Sequence, residues 1–315
     1  MQTKRIILAV KILVILAVFG WGIRLMFKLW NEVPQHEWKL NYLMLILAGV
    51  CYIVAHIPAA IYWRYAMQTL GQNPGVFETF RAYYIGHLGK YVPGKVWVLF
   101  IRSALLNREK TKISTAAASI FMETMTMMAV GAFVGTMIVL LWYNKLSDWL
   151  GIDHFTLNWL ALFAFLALVG TILPILPPIF RFVAKKCRIE LEGLRFKTLA
   201  VGWLLNIPVW IMLGVSLWLT MLGFGMKSES IFTELPYCTM TIAFSVVLGF
   251  ASMIPAGFGV RGWAMSMILV PFFVVHSVGT IDPTVMAGVI VTVHRIISIF
   301  SESVVSGILL PLVRS

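Results

Sequence analysis

Charged side chains are scarce in this 315-residue chain: 12% of residues are charged and 60% are hydrophobic, whereas soluble globular domains carry roughly 25% charged residues. The scarcity excludes an ordinary soluble domain and implies one polytopic membrane domain. Acids are the rarer sign, 13 against 25 Lys and Arg, leaving a net charge of +12. That excess does not point to nucleic acid, because the basic residues are scattered between apolar spans and no soluble domain presents a basic face. Membrane topology and anionic lipid account for it better. Cysteine is also rare: Cys51, Cys187 and Cys238 are too few and too separated for a disulfide framework or a metal knuckle. HExxH and GxSxG are absent, so zinc proteases and serine hydrolases lack their usual residues. No cofactor or metal is expected. Residues 89–95 read G-x4-G-K, like a nucleotide phosphate loop, but Val96 replaces the Ser or Thr that would hold magnesium, and no strand precedes the motif. Lys4, Arg5 and Lys11 before an apolar run imitate a signal peptide, yet no Ala-x-Ala site precedes Arg24 and Lys28; a retained first span is expected.

What the chain does have is apolar runs of about 20 residues, the length that crosses a bilayer as a helix. Six occur, at 6–30, 40–63, 114–143, 157–180, 198–222 and 283–310. Two further apolar stretches, 79–106 and 236–275, are broken by LGKYVPGKVW and MIPAGFGVRGW into arms of about 12 to 18 residues, mostly too short to span comfortably. These are candidate re-entrant hairpins with tips at Pro93 and Gly94, and at Pro255, Gly257 and Gly259. The alternative is that Pro93 and Pro255 kink ordinary helices. Lys and Arg mark cytoplasmic loops: eight fall between Arg64 and Lys112 and six between Arg181 and Lys197, whereas the alternate connections hold Lys39, Lys145 and Lys227 against seven acids. Both termini are therefore expected in the cytoplasm. The expected fold is an all-α polytopic membrane protein, with about six full transmembrane helices plus two re-entrant or broken helical hairpins. These form two inverted repeats, about 1–150 and 151–315, an arrangement common among secondary transporters.

At a hairpin tip, the returning arm begins inside the membrane, so its free N–H groups and positive dipole end favour an anion. Arg102 and Arg261 follow the two tips, and Lys90 and Lys95 flank the first; guanidinium groups match phosphate oxygens in a fork. Lys90, Lys95 and Arg102 read equally well as snorkelling topology signals. Glu123 lies inside the third run; Arg295 and Glu302 lie in the last, two turns apart on one face with Ser298 between them. Charges at such depth are costly and are paired or face water. They are either functional groups or a buried pair, Arg295 with Glu302 or Arg295 with Glu123. His56, His87, His276 and His294 have no metal-ligand spacing on one helix and read as packing residues. Gly131 and Gly135 form a small-xxx-small packing face.

GHLGKYVPGKVW with Arg102, IFMETMTM with Glu123, SMIPAGFGVRGW and VHRIISIFSE resemble the membrane-domain family of lysylphosphatidylglycerol synthetases, over nearly the whole chain. The resemblance implies a flippase for a phospholipid or a lipid-linked intermediate in the bacterial cytoplasmic membrane, not an enzyme. A separate soluble domain performs aminoacyl transfer in the bifunctional members; the similarity covers only the flippase portion. It implies anionic phospholipid or polyprenyl-phosphate-linked substrate as the partner, with Lys95, Arg102, Glu123, Arg261, Arg295 and Glu302 as substrate-binding residues. The alternatives are a membrane-embedded enzyme acting on a lipid-linked substrate, with Glu123, His87 or His294 as acid or base, and a non-catalytic partner of a lipid synthetase. Two departures stand out. Ala256 replaces a usual Gly, a mild change if that position avoids positive φ, and Gly262 replaces a usual Glu, which removes a proton or headgroup partner.

Overall fold

The computed structural model describes residues 40–92, 96–106, 112–142, 144, 147–148, 196–252, 254–276 and 281–312. The expected spans at 6–30 and 157–180, and Pro93, Gly94 and Lys95 of the first tip, lie outside the described residues. Those described are helical, with no strand among them. In order they form α1 (Tyr42–Ala55), α2 (Ile57–Thr69), α3 (Val76–His87) with a 3-10 turn (Leu88–Tyr91), α4 (Val96–Ala104), α5 (Ile113–Leu141), α6 (Phe196–Gly223), α7 (Ile231–Ala251), a second 3-10 turn (Pro255–Gly257), α8 (Val260–Val275) and α9 (Pro283–Leu309). Six helical passages are long and apolar enough to cross a membrane. The protein is an all-α, multi-pass membrane protein.

Local chemistry explains the boundaries. α1 and α2 form one bent passage, Tyr42–Thr69, longer than the expected 40–63. The break falls at His56 because Pro58 has no N–H to continue the ladder; His56 donates its backbone N–H to Ile53 O, and its Nδ1 lies 2.9 Å from Tyr52 O. α9 starts where expected, with Pro283 in its first turn and the Asp282 carboxylate accepting from the N–H groups of Thr284 and Val285 at 2.8 and 3.2 Å. Those bonds hold the Asp282 carboxyl below its usual range. The second hairpin departs from expectation. Its first arm begins at Ile231 rather than near Pro236, because the buried Glu234 carboxylate gathers the N–H groups of Glu229 and Ser230, the Ser228 hydroxyl and the Trp218 indole N–H at 2.7–3.1 Å. With 21 residues in α7, and 21 more from Pro255 to Val275, both arms have spanning length. The first hairpin's arms remain short, 12 residues in α3 and 9 in α4, or about 18 and 13 Å.

Between lipid-facing helices, contact depends on close packing. α1 lies along α6, where Asn41 N–H donates to Gly223 O at 2.8 Å and the Ser216 hydroxyl to Ala48 O at 2.8 Å. Gly131 and Gly135 are packing positions as expected, covered by the rings of Trp210 and Phe244. The contacts are reciprocal: α5 touches α6 and α7 as α9 touches α1 and α3, α4 packs on α5 as α8 packs on α9, and the two 3-10 turns meet each other.

Each hairpin closes on backbone contact. A Cβ at Gly89 would lie 2.7 Å from Val98 N and 2.9 Å from Trp97 C, so only glycine lets α4 return so close to the first turn. In the second tip Ala256 has φ 50° and ψ 15°, the position where a usual Gly is replaced. The expectation of a mild change there fails: a side chain in this region costs about 1–2 kcal/mol. Gly89→Ala is expected to destabilise the protein by about 1–3 kcal/mol, while Gly288→Ala, with nothing within 4 Å of its added Cβ, is tolerated. Ala256→Gly is expected to stabilise by about 1 kcal/mol. Thermal unfolding in detergent ranks the three; a Gly89→Ala protein as stable as wild type contradicts the close approach.

Candidate functional site

The two turns bring polar groups from distant parts of the sequence to one place. The first 3-10 turn carries Lys90 to α9, where its Nζ lies 2.5 Å from Glu302 Oε1. The same oxygen accepts from the Tyr52 hydroxyl of α1 at 2.5 Å, and His87 Nε2 stands 3.7 Å away. The His56 ring packs edge-on against His87 at 4.7 Å and tilted against Tyr52 at 4.9 Å. One carboxylate oxygen thus ties together α1, the first hairpin and α9. Glu302 Oε2 is buried without a hydrogen-bond partner.

A second ion pair joins the first hairpin to α5. Arg102 Nη1 donates to Glu123 Oε2 at 2.9 Å, and the Tyr83 hydroxyl donates to Oε1 of the same carboxylate at 3.2 Å. The guanidinium lies over the Tyr83 ring at 4.0 Å and near Trp63 at 5.2 Å, a favourable cation–π placement. Its stem runs over Gly86, where a Cβ would fall 2.2 Å from Arg102 Cγ. Arg102 and Glu123 are each 2% exposed. Arg102 is enclosed in this pair, whereas Lys90 is partly exposed.

At the second tip, Arg261 of α8 and Arg295 of α9 come together without an acid among the described residues. Arg261 opens α8, 7% exposed, with its stem against Gly249 and Gly257. Arg295 Nη2 donates to Ala256 O at 3.1 Å, and its guanidinium stands 5.9 Å from the Phe258 ring centroid, so it braces the left-handed residue of the tip. Arg261 Nε and Arg295 Nη1 are buried with no partner. Among the described residues, no carboxylate lies within ion-pair distance of either arginine. Of the three cations Lys90, Arg261 and Arg295, only Lys90 is paired with a carboxylate, Glu302, among the described residues. Beside them His294 is fully buried, its Nδ1 3.2 Å from the Thr220 hydroxyl and its Nε2 unpartnered.

Neither expected pair forms. Arg295 and Glu302, two turns apart, are separated by about 10 Å along the helix, and each carboxylate is taken by a cation of the first hairpin instead. Of the sequence-selected residues, Arg261, Arg295 and Glu302 gather at the tips. Arg102 and Glu123 form their own enclosed pair, while Pro255, Gly257 and Gly259 build the second turn, with Gly257 and Gly259 at φ 64° and 79°. Sequence reasoning missed Tyr52. Its signal is the i, i+4 spacing to His56 just before Pro58, a polar step on an otherwise apolar helix.

Removing one member of a buried pair strands the other charge, at about 3–5 kcal/mol. Glu123→Gln and Arg102→Gln are each expected to lower the melting temperature sharply, and the double variant to recover part of the loss. Simple additivity in a double-mutant cycle would refute direct coupling.

A search of curated proteins finds no match. The family model described as "Lysylphosphatidylglycerol synthase TM region" matches residues 6–305. The match takes in both hairpins, the Arg102–Glu123 pair and the cluster at the tips, as the sequence resemblance implied, and the chain belongs to the lysylphosphatidylglycerol synthase TM region family.

Proposed function

We propose that this protein is a lipid translocase. It moves a phospholipid or lipid-linked intermediate across the cytoplasmic membrane, and Arg261 and Arg295 bind the lipid phosphate between the two hairpin tips. The observation that carries this reading is the pair of guanidinium groups, Arg261 buried and Arg295 partly buried, that have no acidic partner among the described residues. An uncompensated charge inside a membrane protein is expensive and marks a substrate path or an ion path. An anion entering between the tips relieves the cost, and Arg is the side chain best matched to phosphate oxygens. The family's membrane setting supports a lipid as the source of that phosphate.

In this reading the chain is a carrier rather than an enzyme. Its halves act as inverted repeats, supported by the reciprocal helix contacts and by the meeting of the two turns. Both termini face the cytoplasm. The Lys90–Glu302–Tyr52 junction sets the position of the first hairpin relative to α9, and the Arg102–Glu123 pair keeps that hairpin rigid while the phosphate passes. With no nucleotide motif, the driving force is the gradient itself: an inside-negative potential favours outward passage of an anion by about 2.3 kcal/mol per charge per 100 mV.

Reconstitution into liposomes with a fluorescent phospholipid reduced from outside tests the proposal. Wild type is expected to expose inner-leaflet label. Arg261→Gln is expected to slow that exposure at unchanged abundance and folding. Full protection of the inner leaflet across several lipid classes by correctly folded protein would overturn it.

A further inference from the structure

We propose that the headgroup bound at the hairpin tips carries two negative charges, as a lipid phosphomonoester or diphosphate does, and no cationic group. This rests on the translocase reading and narrows its substrate class. The argument is one of charge and of donors. Lys90 is paired with Glu302, and among the described residues no carboxylate lies within ion-pair distance of Arg261 or Arg295, so those residues leave two positive charges unbalanced. A phosphodiester neutralises one and leaves a guanidinium uncompensated; a dianion neutralises both. The free donors agree, since Arg261 Nε and Arg295 Nη1 are both unpartnered and buried, and each needs its own acceptor oxygen. They sit on different helices, α8 and α9, so a group with several charged oxygens serves them together.

An ammonium has no such place. Glu302 Oε1 is occupied by Lys90 and Tyr52, and both oxygens of Glu123 are held by Arg102 and Tyr83. An added cation would enlarge an imbalance that already exists. The remaining acceptor, Glu302 Oε2, suits a neutral hydroxyl on the headgroup. The residue after Arg261 sharpens the point. Gly262 provides no carboxylate, although its Cβ direction is open, with Val291 Cγ1 the nearest atom at 3.8 Å. Val291 lies one turn before Arg295 on α9, so an acidic side chain at 262 would meet α9 one turn from that arginine and follow Arg261 directly in the chain. The site has room for an acid there and holds none.

The test measures binding to the full-length protein in detergent, by intrinsic tryptophan fluorescence and native mass spectrometry. Its probes are short-chain phosphatidic acid, phosphatidylglycerol and phosphatidylethanolamine, with inorganic pyrophosphate as competitor. Phosphatidic acid is expected to bind about tenfold or more tighter than phosphatidylglycerol, with phosphatidylethanolamine weaker still, as expected for the loss of one charge-assisted contact. Arg261→Gln is expected to remove most of that preference. Gly262→Glu leaves both arginines in place and adds a surface to an open position; it is expected to bring phosphatidic acid and phosphatidylglycerol to within about threefold of each other. Equal affinity for all three lipids, or tighter binding of the amine-bearing one, overturns the proposal. If liposomes still show transport in that case, the translocase reading survives without it. Selective phosphatidic acid binding with no transport in liposomes has the opposite meaning, and competition by pyrophosphate as potent as by the lipid assigns the dianion site to a free anion and overturns the lipid substrate.

Discussion

The carboxylate of Glu302 is the point on which this structure depends. Its Oε1 accepts from the Lys90 ammonium and the Tyr52 hydroxyl together, and those donors come from helices whose sequence positions are 212 and 250 residues away. In a bilayer, apolar surface gives helices little reason to prefer one neighbour over another, because lipid tails are as apolar as leucine. A charged junction in low dielectric is different, since every alternative arrangement leaves a charge unpaired. The junction therefore fixes where the first hairpin stands relative to α9, and with it the meeting of the two turns.

The second hairpin is held by backbone rather than by charge. Ala256 sits in a left-handed conformation, and Arg295 accepts the consequence by donating to its carbonyl. The same arginine keeps its other nitrogen unpartnered. One side chain thus supports the turn and presents a donor at the place where the turn opens onto the charged cluster. Strain of this kind persists where surrounding contacts determine the backbone, and here the glycine contact between α7 and the turn, Gly249 against Gly257, supplies the rest.

Much of the molecule was legible in the sequence because its solvent is simple. Spans at 114–143, 198–222 and 283–310 reappear as α5, α6 and α9 within a few residues, since run length and apolar content decide helix extent in a membrane. Where a polar network intervened, the reading failed. Glu234 capped α7 five residues earlier than Pro236 suggested, turning an arm judged too short into one of spanning length. Pro58 bent the second span without ending it, because His56 satisfied the carbonyl released at the break.

The candidate site was legible as a set and not as an arrangement. Intramembrane Arg, Lys and Glu are few enough that burial cost alone selects them, so Arg102, Glu123, Arg261, Arg295 and Glu302 follow from composition and spacing. Which of them pair does not, because pairing depends on approaches between residues far apart in the chain. Only the tertiary structure assigned Glu123 to Arg102 and Glu302 to Lys90, and in doing so left Arg261 and Arg295 without acids among the described residues. The sequence by itself determined that this is a helical membrane protein with two interrupted passages and a handful of buried charges; the fold decided which charges cancel, and hence that an uncompensated positive cluster lies where the two turns meet.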